Sequence, residues 1–367
     1  MTNVISFASC LPNHKSGPSG LTALTGCFAS GRRVSEDVFW LKENAELLNV
    51  CECSGVQLGQ AALEPYRAFY QSAQERLVFF PQYYRFLLGI VLDLEALGLD
   101  DGLDGGLGEQ MCAHVARSGL IEAELSDLQR GEAMRLLSRK GFDTHGSAEL
   151  DARLHRFIAN SDTFSVPNRK AAYELTHIVF YLTDYGRKSV TFAPGVEESL
   201  TFTGILALLE DNTDLLAEVC VAMHFAGIAP PKAWERHLID MSNLFQVRPG
   251  LDGQNDDYHT YLMVNWALGM TAKPIFTGQY GAHGTSFFSG FEPRGALRTL
   301  SYVLYNLCEH RVGSWNRMKR ELLPQMGQDL ASHIKFVEHS TPYFDAFFTK
   351  FARALPQAAQ ARSIEMV

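Results

Sequence analysis

The chain has 367 residues, 41 of them acidic and 32 basic, and a formal net charge of −9 at pH 7. With 46% hydrophobic and 20% charged residues it has an ordinary globular composition, which excludes collagen-like, coiled-coil and wholly disordered chains. The acidic balance and the lack of a clustered basic stretch argue against a nucleic-acid binder.

Residues 1–33 are rich in Ser, Gly and Thr, contain Pro12 and Pro18, and read as a loosely held N-terminal segment. No basic stretch precedes the first apolar residues, so no secretory signal is expected. Ser35 and Asp37 offer a cap for a helix carrying Trp40, Leu41, Ala45, Leu47 and Leu48 at helical spacing. Two more helices are predicted over 61–76 and 83–97. The apolar run at 86–99 is interrupted by Asp93 and Glu95 and is too short to span a bilayer.

A Gly/Asp loop at 100–106 leads to helices over 108–119 and 122–140, the second stopped by Gly141. Helices follow over 148–160, 168–187, 200–210, 214–226 and 231–244. Residues 246–257 form a Pro/Gly/Asp loop, 258–270 a helix, and 273–294 no clear element. The stretch from Gly278 to Gly290, which includes His283, is expected to close over a pocket as a flexible loop. Helices over 295–309, 315–325, 328–338 and 343–354 complete a single helical domain at 34–354, followed by a frayed tail at 355–367. The reading is all-α, with about fifteen helical segments arranged as an α/α-toroid or as stacked antiparallel pairs. Thr201-Phe202-Thr203 alone looks strand-like.

The seven cysteines are scattered and odd in number, which does not suggest a disulfide framework. Cys51-Glu52-Cys53 lacks the second pair that a zinc site needs. The stretch Tyr173 to Gly186 is more informative. Leu175, Ile178, Val179, Phe180 and Leu182 mark it as a buried helix, yet Glu174, His177, Tyr181 and Asp184 fall at i, i+3, i+7 and i+10, on one face. Polar groups on a buried helix are costly unless paired, ligated or facing a wet cavity. Farther on, Asp256 or Asp257 would cap a helix whose first turn holds Tyr258 and His259. The helix macrodipole at that end would disfavour a proton on His259 and make it a base or metal ligand. If the two helices meet, His177, Asp184 and His259 form a His/His/carboxylate set suited to Zn²⁺ or non-haem Fe²⁺. Without metal the same set, with Tyr258 or Tyr181 as proton donor, suits acid–base chemistry. Structural roles for each, as a satisfied core histidine, a capped helix end or a first-turn histidine, remain the competing reading.

Glu174-Leu-Thr-His177, Asp184-Tyr-Gly186 and Asp257-Tyr-His259-Thr-Tyr261 resemble a pattern in uncharacterised bacterial proteins from biosynthetic gene clusters. The resemblance covers roughly residues 120–270 and implies an α/α-toroid like that of terpene cyclases and lanthipeptide cyclases. The Asp-x-Asp-Asp acid motif of the former and the Cys/Cys/His zinc pattern of the latter are both missing, so neither activity carries over. The sequence therefore predicts a cytoplasmic, metal-dependent enzyme of bacterial specialised metabolism. It would take a small molecule or modified peptide in a central cavity, with no nucleic-acid or membrane partner. The alternatives are a non-catalytic helical scaffold for a peptide or partner protein, and a metal-free acid–base cyclase or isomerase.

Overall fold

The computed structural model describes residues 20–35, 37–99, 102, 106–142, 146–250, 256–281 and 284–354. The protein is mostly helical, as its periodicity predicts. The N-terminal group comprises α1 (Gly20–Gly26), α2 (Val38–Cys53), α3 (Gln60–Leu63), α4 (Arg67–Phe79), α5 (Tyr84–Ala96), α6 (Gly106–Arg117) and α7 (Asp127–Ser138). Asp37 caps α2 by accepting the Phe39 N–H, and the Ser126 hydroxyl caps α7 by accepting the Gln129 N–H, five residues later than the predicted start.

The described part of the N-terminal segment, from residue 20 on, is not loose. After α1 the chain makes a π-helical turn at Cys27–Gly31, and Leu24, Cys27 and Phe28 are fully buried. Three apolar side chains within five residues outweigh the local Ser/Gly/Thr content. Residues 1–19 and the tail at 355–367 lie outside the described residues.

The second group runs α8 (Ser147–Ile158), α9 (Arg169–Leu182), α10 (Pro194–Glu210), α11 (Thr213–Phe225), α12 (Lys232–Leu244), β1 (Gln246–Pro249), α13 (Tyr258–Gly269), β2 (Thr285–Phe288), α14 (Ala296–Asn306), α15 (Trp315–Leu322), α16 (Gln328–Ser340) and α17 (Phe344–Phe351). Proline at its first position starts α10 six residues before the predicted 200, so Thr201-Phe202-Thr203 is buried helix. The threonine hydroxyls bond back to carbonyls one turn earlier, which satisfies them without a strand.

The two strands pair antiparallel, Gln246 opposite Phe288 and Pro249 opposite Thr285. Both lie in stretches expected to be irregular; four residues are too few to display a two-residue alternation. Within the expected closing loop, Thr285–Phe288 is pinned by this pairing. Thr285, Ser286 and Phe287 are buried, while His283 lies outside the described residues.

Two apolar clusters form the interior. Trp40, Leu41 and Leu48 of α2 join the cluster built by α4 to α7, whereas Leu47, Val50 and Cys51 join the one built by α8 to α17. Helix α2 is therefore the wall shared by the two. Helix α11 is enclosed by α9, α10, α12 and α13, and every residue from Leu215 to Met223 is buried. At Gly204 of α10 the Trp234 ring occupies the space a Cβ would need, so glycine there permits the close approach of α12. Among the described residues no helix is long and apolar enough to cross a membrane.

Candidate functional site

Helix α13 follows Asp256 and Asp257, but neither carboxylate caps it. Asp256 receives both ends of the Arg32 guanidinium and the Phe287 N–H, and Asp257 receives the Ser289 N–H. The loop is tied to β2 instead. His259, in the first turn of α13, lies between α2 and α11. Its Nε2 is 3.6 Å from Asp214 Oδ2 and 3.7 Å from Glu218 Oε1, and its Nδ1 is 3.4 Å from Glu46 Oε2. Asp214 and Glu218 are four residues apart and so share a face of α11. Each has a neutral donor as well: the Tyr173 hydroxyl reaches Asp214 at 2.6 Å and the Thr176 hydroxyl reaches Glu218 at 2.6 Å. Glu218 is only 2% exposed.

Two of these carboxylates reverse the expected effect of the helix terminus. Burial and the macrodipole both oppose a proton on His259, yet Glu218 and Glu46, one at each ring nitrogen, push its pKa up to about 10. A helix end contributes roughly 0.3–1 kcal/mol; two carboxylates beside a partly desolvated ring contribute more. Glu46 responds in the opposite sense. Burial raises its pKa, but His259, then Lys42 and the Tyr258 hydroxyl, bring it below the usual carboxylate range.

His177 reaches the same carboxylate from α9. Its Nδ1 is 2.7 Å from the Tyr173 carbonyl and 3.7 Å from Glu218 Oε2. A carbonyl only accepts, so Nδ1 carries the hydrogen, and in the neutral ring Nε2 holds the lone pair. The ring is about one-third exposed and lines a cleft of about 590 Å³ with Leu128, Lys170, Tyr173 and Glu174. A second cleft, of about 460 Å³, is lined by Asp214, Asp257, Thr260, Phe291 and again Tyr173. Tyr173 lines both clefts. The histidines singled out by sequence are thus brought to opposite oxygens of one glutamate, and the helices that carry them each pack on α11.

Asp184 is placed differently. Helix α9 stops at Leu182, and Asp184 and Tyr185 take left-handed conformations (φ 46° and 52°) before Gly186 (φ 84°). The predicted helical face therefore ends before Asp184. The side chain is buried, accepts from Arg135 Nε at 2.8 Å and lies 3.6 Å from Arg187. The Arg135 guanidinium sits 4.3 Å above the Tyr185 ring, which itself stacks on Trp266. Tyr181 faces a separate cavity of about 300 Å³ with Arg135 and Lys188, where burial keeps its hydroxyl protonated. Tyr258 packs edge-on to Phe28 with Arg32 over its ring, and burial and Glu46 hold its proton. Among the described residues no group of three or more His, Cys, Asp or Glu is arranged to hold a metal ion.

Sequence reasoning missed Glu46, Asp214, Glu218 and Tyr173. Glu218 carried a usable signal: it is the one charged residue between Leu215 and Met223, the same anomaly that marked α9.

The chain belongs to the family described as a domain of unknown function, DUF6902, whose model matches residues 1–354. No curated protein and no solved structure matches it.

Proposed function

We propose that this protein is an enzyme that moves protons on a small molecule or modified peptide by general acid–base catalysis, as an isomerase, cyclase or lyase does. The carrying observation is Glu218, buried between two histidines whose surroundings suit opposite roles. His177, with Nδ1 spent on a carbonyl, presents Nε2 to the larger cleft as a base. His259, flanked by carboxylates, is an imidazolium and supplies the acid. One ring keeps a free nitrogen while the other is surrounded by carboxylates, and such unlike surroundings suit unlike roles within one site. Tyr173, which lines both clefts, would orient a substrate that reaches from one to the other. The packing around α11, with α10 and α11 joined through Asp211-Asn212, favours stacked antiparallel pairs as the framework over a toroid.

The test is solvent exchange. The protein is incubated in D₂O with a metabolite mixture, and deuterium gain is read by mass spectrometry. Wild type should label at least one metabolite, and His177→Asn and His259→Gln should lose that labelling. Equal labelling by all three, or none by any, sinks the proposal in favour of a helical scaffold. Near-stoichiometric Zn or Fe in untagged protein, lost in the His177→Ala/His259→Ala double variant, would replace the metal-free mechanism with a metal-dependent one.

A further inference from the structure

Arg32 follows the π-helical turn, and its side chain is buried, 5% exposed. Its donors reach three elements. Nε donates to Glu43 Oε2 of α2 at 2.7 Å. Nη1 donates to Asp256 Oδ2 and to the Thr285 carbonyl of β2, both at 2.7 Å, and Nη2 to Asp256 Oδ1 at 2.8 Å. The rings of Phe28, Tyr258 and Phe287 surround it at 5.2, 5.1 and 5.4 Å. Arg33 takes the other Glu43 oxygen at 2.9 Å.

The spacing of its partners matters. Glu43 lies three residues before Glu46 on α2, and Asp256 lies three residues before His259. The bridge Glu43–Arg32–Asp256 and the contact Glu46–His259 are thus successive rungs between α2 and the start of α13. The upper rung is made of directional, charge-assisted bonds. The lower rung is looser: Glu46 Oε2 and His259 Nδ1 face each other at 3.4 Å, longer than a charge-assisted N–H···O bond. A contact this long takes its length from the elements that carry it.

We propose that Arg32 is a positioning residue: its forked guanidinium fixes α2 against the start of α13 and thereby sets the distance between Glu46 and His259. This inference rests on the reading of His259 as the acid of the site. The groups around His259 are Glu46 and, behind it, Lys42 on α2; Asp214 and Glu218 on α11; Tyr173 and His177 on α9, beside those two carboxylates; and Tyr258 on its own helix with Asp257 just before it. Arg32 acts on the ring through the placement of Glu46.

The test follows the His259 ring by NMR in ¹⁵N-histidine-labelled protein, with the resonance assigned from His259→Gln. Arg32→Lys keeps the charge but cannot span Glu43, Asp256 and Thr285 together. The expected result is a fall of about one unit in the His259 pKa, a tenfold loss of proton affinity. Glu46→Gln should lower it at least as far, and Arg32→Lys added to Glu46→Gln should lower it no further, because both act through one contact. An unchanged His259 pKa in a folded Arg32→Lys protein, or additive shifts in the double variant, overturns the proposal. If Arg32→Lys does not fold, Glu43→Gln loosens the α2 end of the bridge and is judged by the same criterion. The readout needs no turnover. A shifted ring in Arg32→Lys beside unaltered exchange activity in His259→Gln would keep the positioning role and discard the acid.

Discussion

Two of the regions where this protein gathers buried and half-buried carboxylates neutralise them with different cations. At the end of α9, Asp184 is held by Arg135 at 2.8 Å, Asp93 by Arg139 at 2.5 Å, and Glu52 by Arg187. Three acids meet three guanidiniums, which stay charged at any working pH. Around α11, Glu46, Asp214 and Glu218 converge on the single imidazole of His259. There the proton on His259, beside Lys42 at Glu46 and the His177 ring at Glu218, sets how well the carboxylates are matched. The arginine region joins α2, α5, α7 and the α9 terminus permanently; the histidine region stores a proton that can leave. That difference separates a structural joint from a candidate site better than the number of buried charges does.

The largest effect should come from breaking the arginine joint. Arg135→Ala removes the closest partner of buried Asp184 and uncovers the Tyr185 ring. It should cost about 3–5 kcal/mol in chemical denaturation, with Arg135→Lys intermediate because a lysine cannot both bond Asp184 and cover the ring. A loss under about 1 kcal/mol would show that the joint is ornamental and dissolve the contrast between the two regions.

A smaller effect should distinguish the regions by pH. The folded pKa of His259, about 10, lies above the unfolded value of 6.5. The associated stability is therefore fully present below about pH 6.5 and is lost as pH rises through about 10. Since the ring is partly exposed, roughly 2 kcal/mol is expected to disappear between pH 7 and pH 10. Glu46 has the opposite sign: its lowered carboxyl contributes above its unfolded pKa and is lost as pH falls. Denaturation midpoints measured across this range should decline in wild type and in Arg135→Lys, and should flatten in His259→Gln. Parallel declines in all three would place the alkaline sensitivity outside His259.

How far these regions were legible depended on whether their residues stand in one helix. The α9 pattern was readable because Leu175, Ile178 and Val179 make His177 anomalous within a few residues of sequence. The same logic applied to α11 would have found Glu218. Glu46 was beyond reach: it lies on α2, more than two hundred residues from His259, and looks like an exposed helical glutamate until α2 is placed between the two cores. Asp184 was misplaced for a local reason. The periodicity assumed that α9 continues, whereas the chain turns left-handed at Asp184 and Tyr185, and a Cβ on Gly186 would meet the Phe225 ring at 2.7 Å. The protonation of His259 was misjudged because a helix-terminus argument counts only its own helix, and the deciding charges come from two others. The fold class, by contrast, followed from apolar spacing in helices such as α8, α12 and α14, each with one buried face.

The smallest effect on stability should accompany the loss of the base. His177 is about one-third exposed, and its described anchor is the Nδ1–H bond to the Tyr173 carbonyl. His177→Asn places an amide N–H near the position of Nδ1 and can keep that bond, while Nε2 disappears. Stability should therefore change by no more than about 0.5 kcal/mol. Solvent exchange on whichever metabolite wild type labels should fall by about 10²–10⁴-fold, the usual contribution of a general base. The same variant should leave the His259 titration nearly unchanged, since Glu218 keeps its Thr176 bond and its place beside Nε2. If His177→Asn instead unfolds the protein or moves the His259 titration by a full unit, the two histidines and Glu218 form one structural cluster. The histidine region would then be a joint like the arginine region, differing only in the cation it uses.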